Sequence, residues 1–217
     1  MDTEKYTLWL VCGAALLIDN SLTLQQRQDV LDSVLYAQLR ADKRSAGRCI
    51  DHGQWFAHYC RSFDELGWTR LLKHHERAPL DTAPASLPML MQHWLLTQDE
   101  TLGGDIHGIA QALAAASARK HLARFVQPLE VRLNELGVVS SAGVLALCSA
   151  YSNARPAAQA DEAHAGTCEL RGWVGSVDEE IYALQRPGLR ELMERRCTGA
   201  LITYLGKLSA GGVDGQA

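Results

Sequence analysis

No Gly-x-Gly-x-x-Gly loop, no HExxH helix and no Gly-x-Ser-x-Gly elbow occurs in these 217 residues. The usual sequence signatures of dinucleotide binding, zinc proteolysis and serine hydrolysis are therefore missing. Basic charge is also in short supply. Lys and Arg number 21 against 25 Asp and Glu, a net charge of −4, which argues against phosphate-backbone binding as the main activity. Charged residues reach only 21% and hydrophobic residues 47%, with a mean hydropathy of −0.11. This ordinary globular composition excludes a disordered or multi-span membrane chain. Lysine (5) and asparagine (3) are rare while arginine reaches 16 and alanine 29, a skew that points to a GC-rich bacterial gene and to no function. No internal repeat is present.

The six cysteines (Cys12, Cys49, Cys60, Cys148, Cys168 and Cys197) are scattered, not clustered. A chain this long buries roughly 70% of its unfolded surface and needs no disulfide staple. Reduced thiols and a cytoplasmic location are the expectation. The apolar run Tyr6–Ile18 has the length of a signal-peptide core, but Asp2 and Glu4 outweigh Lys5 ahead of it. Asp19-Asn20-Ser21 after it is no cleavage site. Its 13 residues are too few for a membrane span of about 20, so it reads as a buried N-terminal helix.

Thr23 and Gln26 form a capping box that opens a helix to about Arg40. Asp51 opens a second helix, with Trp55, Phe56, Tyr59, Phe63 and Leu66 on one side and Gly67 as its stop. Residues 76–88 are polar and proline-rich, and read as a linker or long loop. Ser86 caps a third predicted helix carrying Leu90, Met91, Trp94 and Leu95. Gly103-Gly104 ends it, and Asp105 starts an alanine-rich helical stretch. Beyond Pro128 the period changes to two: LEVRLNEL (129–136) predicts a strand, Gly137 a turn, and Val144–Tyr151 another strand. After a loose connection, TCELRGWV (167–174) and EEIYALQ (179–185) predict two more. Pro187 at N1 would open a last amphipathic helix on Leu189, Leu192, Met193, Cys197, Ala200, Leu201 and Tyr204. The expected fold is one α+β domain over 1–208. A helical portion spans about 1–127 and is followed by an antiparallel meander of about four strands, the C-terminal helix and a tail over 209–217.

The string LTLQQRQDVLDSVLYAQLRADK (22–43), followed by Trp55, Tyr59 and Gly67-Trp68, resembles an uncharacterised family of bacterial proteins. The resemblance is strongest over residues 22–68 and extends more weakly to the last helix. That family carries no assigned activity, so the resemblance implies no catalytic residue and no cofactor.

Four zinc-type ligands stand in Cys49-x2-His52-x5-His58-x-Cys60. On a helix, however, His52 and His58 lie about 240° apart around the axis, and His58 and Cys60 about 160° apart. One ion cannot collect all four, so no metal is expected. His74-His75-Glu76 lacks a third ligand at a metal spacing. Gly103-Gly104-Asp105 reads as a helix cap, and Arg195-Arg196 as a complement to the macrodipole of the last helix. The expectation is a non-catalytic protein that binds an unidentified protein or a surface, without nucleic acid, cofactor or metal, and with homo-oligomerisation as a default. Two alternatives stand beside it. One is a Cys/His-dependent hydrolase or transferase assembled only in three dimensions; the other is a membrane-interacting protein using residues 6–18.

Overall fold

The computed structural model describes residues 5–45, 50–79, 94, 134–152, 167–195 and 201–208. Cys12, at a φ of 50°, turns the chain between two antiparallel strands, β1 (Tyr6–Val11) and β2 (Ala14–Asp19), with Val11 facing Ala14. The N-terminal apolar run is thus a hairpin and not the expected helix. All six residues of β2 are buried. Val11, Ala14, Leu16 and Ile18 pack into the core beneath the helices, while Leu8, Leu10, Ala15 and Leu17 are buried on the opposite face. Burial on both faces removes the polar alternation by which a strand is recognised, and a uniformly apolar run fits helix or strand equally well.

Helix α1 (Leu24–Arg44) opens on the capping box. The Thr23 side chain accepts the Gln26 N–H, and the Gln26 side chain accepts the Thr23 N–H. Helix α2 (His52–Glu65) opens on Asp51, whose carboxylate accepts the Gln54 N–H. Just past its end Gly67 takes a φ of +87°, a conformation that favours glycine. Then come β3 (Trp68–Pro79), β4 (Asn134–Val139), β5 (Leu145–Ser152), β6 (Thr167–Val177), α3 (Glu179–Arg195) and β7 (Ile202–Leu208). One seven-stranded sheet runs in the order β3-β6-β5-β4-β2-β1-β7. Its β2–β4 pair is parallel and the others are antiparallel.

The fold is α+β, but the expected order of elements is overturned. Strands stand on both sides of the central helices, and the sheet is mixed, not a four-stranded meander. Residues 179–185, expected as a strand, form the first turns of α3. Asp178 accepts the N–H groups of Glu180 and Ile181, and the acids Glu179 and Glu180 favour the helix N-terminus. Pro187 lies inside α3 and not at its start. The helix continues through it because the turns ahead of it are tied to Asp29 of α1, and beyond it Arg190 reaches the same carboxylate at 3.8 Å while Leu189 and Met193 are buried. The Tyr182 hydroxyl donates to the Asp29 carbonyl, and Arg186 grips the Asp29 carboxylate. The last helix is described as far as Arg195; Cys197 and Ala200, expected on it, lie outside the described residues. Tyr204 belongs to edge strand β7, where its ring lies 4.9 Å from Trp9. Gly137 is no turn but the middle of β4, paired with Leu16 and Leu147. Glu76–Pro79, read as the start of a linker, complete β3. The rest of that linker, the predicted elements between 80 and 133 apart from Trp94, and the tail lie outside the described residues.

The helices cover one face of the sheet, and an aromatic row joins the two layers. Trp55 stacks on Tyr59 at 4.9 Å, Tyr59 meets Phe63 at 5.2 Å, and Phe63 meets Trp173 of β6 at 4.7 Å. Among the described residues, no helix is long and apolar enough to cross a membrane.

Gly175 stands at a tight place in the sheet, against backbone. A Cβ there would sit 2.5 Å from the Thr69 carbonyl oxygen and 2.9 Å from the Trp173 ring. Gly175→Ala should therefore cost about 1–3 kcal/mol through forced backbone displacement. Gly188→Ala, with nothing within 4 Å in α3, should instead stabilise by about 0.5–1 kcal/mol. Urea midpoints of the two variants will move in opposite directions if this packing is correct, and equal midpoints would contradict it.

Candidate functional site: a cationic cleft beside helix α2

Helix α2 buries its aromatic stripe, which leaves Gly53, Ala57, Arg61 and Asp64 on the flank that overlooks β3 and β6. A register shift between Arg70 and Leu72 sets the alternation of β3. Beyond it Lys73 pairs with Trp173, His75 with Arg171 and Arg77 with Glu169. Trp173 points into the core under the helices, so this whole row faces the helix side of the sheet. Between flank and row lies a cavity of about 470 Å³. Phe56, Ala57, Cys60 and Trp173 supply its apolar wall, and Arg61, Arg70, Lys73 and Arg171 supply charge, against the single acid Asp64.

That acid is already engaged. Arg70 donates to both of its carboxylate oxygens, at 2.8 and 2.6 Å. Arg61 and Lys73 have no carboxylate within ion-pair distance among the described residues.

Next to the cleft the side chains converge on Glu169. His75 Nε2 lies 2.6 Å from Oε1, Arg171 donates to the same oxygen, and Arg77 stands 3.7 Å from Oε2. Burial pushes the Glu169 carboxyl up, but the His75 and Arg171 hydrogen bonds and the Arg171 charge outweigh it and hold it below the ordinary carboxylate value. His52, at the first turn of α2, places Nδ1 4.0 Å from Glu169 and Nε2 2.9 Å from the Ser149 hydroxyl of β5. Burial lowers the His52 pKa to about 4, against a partial upward pull from Glu169, so the ring is neutral near pH 7.

Ser149, His52 and Glu169 stand in the sequence of a hydroxyl–imidazole–carboxylate relay. Geometry makes them an anchor and not a nucleophile. The His52–Glu169 separation exceeds a hydrogen bond, and His75 and Arg171 already occupy Glu169 Oε1. Ser149 is 0% and His52 3% exposed, so no substrate carbonyl reaches Oγ. The trio ties the start of α2 to the middle of the sheet.

The residues singled out from sequence are dispersed. Cys49, Gly103, Gly104, Asp105 and Arg196 lie outside the described residues. His52 serves Ser149, and His74 stacks on Trp94 at 5.4 Å, on the other side of the sheet from His75. Cys60 reaches the cleft, but burial pushes its thiol up to about 11, and burial also holds the Cys148 thiol well above its ordinary value. Neither supplies the thiolate that a Cys/His enzyme needs. Cys12, Cys60 and Cys148 are free thiols. Among the described residues no three His, Cys, Asp or Glu side chains gather to hold a metal ion. Arg195 is exposed and pairs with Glu191 one turn away.

Sequence reasoning missed Lys73, Glu169, Arg171 and Ser149. A signal existed: Lys73-x-His75-x-Arg77 and Glu169-x-Arg171-x-Trp173 alternate with a period of two and set charge on the face that carries Trp173. Comparison of the chain with family models, curated proteins and solved structures finds no match, so what this cleft does is read from its own geometry.

Proposed function

We propose that the protein is a non-catalytic binding protein whose cleft between α2 and the β3–β6 edge takes a small organic anion. The observation that carries this reading is the gathering of four cationic side chains around one cavity, in a chain whose net charge is −4. Like charges repel, so such a cluster is favourable when an anion sits among it. A volume of about 470 Å³ lies within the range of small-molecule sites, and the Phe56–Ala57–Trp173 wall suits an apolar body behind the charged head. No hydroxyl and no thiol but the raised Cys60 lines the cleft among the described residues, which favours binding over the hydrolase or transferase alternative. A cytoplasmic setting with reduced cysteines is part of the proposal.

Isothermal titration of the full chain with benzoate, phenyl phosphate and citrate tests this. At least one should bind, and more weakly as salt is added. The double variant Arg61→Glu/Lys73→Glu reverses two exposed charges that make no ion pair among the described residues, so its fold should persist. It should weaken binding about tenfold or more. Equal binding by the charge-reversed protein, or no anion binding by wild type at millimolar concentration, would refute the reading.

A further inference from the structure

Helix α3 turns an apolar face outward. Its core side carries Tyr182, Leu189 and Met193, while Leu184 is 81% and Ile181 47% exposed. Leu192 stands eleven residues beyond Ile181, about 20° from it around the axis, so Ile181, Leu184 and Leu192 form one stripe along the helix. At Leu192 the stripe meets a groove between α3 and α1, a cavity of about 320 Å³ floored by Tyr36, Leu39 and Met193. Lys43 and Arg44 of α1 stand on its rim, and neither has a carboxylate within ion-pair distance among the described residues. A third rim cation, Arg40, pairs with Glu65. The opposite end of the stripe is acidic. Glu179 and Glu180 lie in the first turn of α3, where Glu179 shares Arg186 with Asp29 and Glu180 has no ion pair among the described residues.

One molecule therefore carries both halves of an interface, with apolar knobs beside acids at one end and an apolar groove beside bases at the other. We infer that the protein pairs with a second copy of itself through α3, the two helices running antiparallel about a twofold axis. Leu184 and Leu192 are eight residues, or about 12 Å, apart along the helix, so an axis midway between them sets each Leu184 against the other copy's Leu192. Ile181 of one protomer then lies over the groove of its partner, and Glu180 faces Lys43 and Arg44 across the interface. Each contact occurs twice, as an isologous interface requires. The bases in the last turn of α1 also suit its macrodipole, but that accounts for neither the groove beside them nor the exposed Leu184. An acidic helix of another protein would fill the groove and leave Leu184 and Glu180 uncovered, whereas a second copy covers both ends. Opposite charges at the two ends fix the antiparallel direction.

Sedimentation velocity of the full-length protein over a concentration series tests this, with circular dichroism to check that each variant is folded. Wild type should form a species of twice the 23.8 kDa chain mass by about 0.1 mM. Leu184→Asp sets a charge into the stripe at an exposed position, so the fold should persist, and the dimer dissociation constant should rise about tenfold or more. Glu180→Lys should also weaken association, and so should Lys43→Glu/Arg44→Glu. All three charge changes together should restore it, because the same attraction forms again with its signs exchanged. Wild type that stays monomeric at about 0.5 mM overturns the inference. So does a dimer unmoved by Leu184→Asp, or a charge exchange that fails to restore association, since the copies would then meet elsewhere.

Discussion

Trp55→Ala should destabilise the protein by about 3–5 kcal/mol, the usual cost of deleting a large buried aromatic side chain. Trp55 is 0% exposed, stacks on Tyr59 with ring planes 17° apart, and donates its indole N–H to Asp42 of α1. The substitution therefore opens a cavity at the α1–α2 contact and removes the donor that holds Asp42. A single domain has only about 5–15 kcal/mol of stability in total, so the variant should lose a large part of it or fail to accumulate in soluble form. Trp55→Phe keeps most of the volume and loses only the hydrogen bond, which should limit the loss to about 1–3 kcal/mol. Arg195→Ala, on an exposed side chain with one i,i+4 partner, is the control and should change stability by no more than about 0.5 kcal/mol. Urea denaturation of the three variants gives the order. A wild-type midpoint for Trp55→Ala would mean that α2 does not bury this face.

Acidification should destabilise the fold well before the carboxylates titrate. His52 is nearly fully buried, and its pKa falls from 6.5 in the unfolded chain to about 4 in the folded protein. Between those values the unfolded chain binds one more proton than the folded one, so stability falls as pH falls. The contribution is fully present above pH 6.5 and is lost as pH drops towards about 4. A depression of this size corresponds to about 3 kcal/mol over that interval. Glu169 acts in the same direction at lower pH. Its folded value lies below the ordinary one of 4.5, so its contribution is present above that pH and lost as pH falls through the folded value. The check is a series of urea midpoints from neutral pH to about pH 4, on wild type and His52→Gln. Wild type should lose stability across the series, and His52→Gln should start lower and show a flatter profile. Parallel profiles would remove His52 as the cause.

Legibility in the sequence followed the range of the interactions involved. Thr23 with Gln26 and Asp51 with Gln54 are bonds spanning three residues, and both helix starts could be read from them. Gly67 could be read as a stop because a left-handed residue at a helix end favours one residue type. The strands over 144–151 and 167–174 stand out by their apolar and alternating patterns; the first matches β5 (Leu145–Ser152) to within one residue and the second lies within β6. The candidate site carried only the charge alternation of each strand by itself, which does not say which strands meet. His75 and Glu169 are 94 positions apart and His52 and Ser149 are 97 apart, so their meeting depends on β3 pairing with β6 and β6 with β5.

Pro187 and the N-terminal run show the opposite case, in which local rules were clear and gave the wrong answer. Proline in a helix interior costs about 3 kcal/mol in isolation, so placing it at N1 was the sound local choice. Asp29 reverses that choice by holding Tyr182 and Arg186 ahead of the proline, and Leu189 and Met193 beyond it are buried in the core. Residues 6–18 carry no polar positions that would distinguish a period of two from one of 3.6. Pairing with β4 on one side and β7 on the other makes them a central hairpin. By itself, then, the sequence determined the helix boundaries that depend on a cap and the aromatic face that α2 buries, because hydrogen bonds and helical periodicity within a few residues are sufficient for both. Tertiary structure alone decided that the N-terminus is sheet, that α3 runs through its proline, and that Lys73, Arg171 and Trp173 share one cleft, because each of these is set by pairing between distant segments.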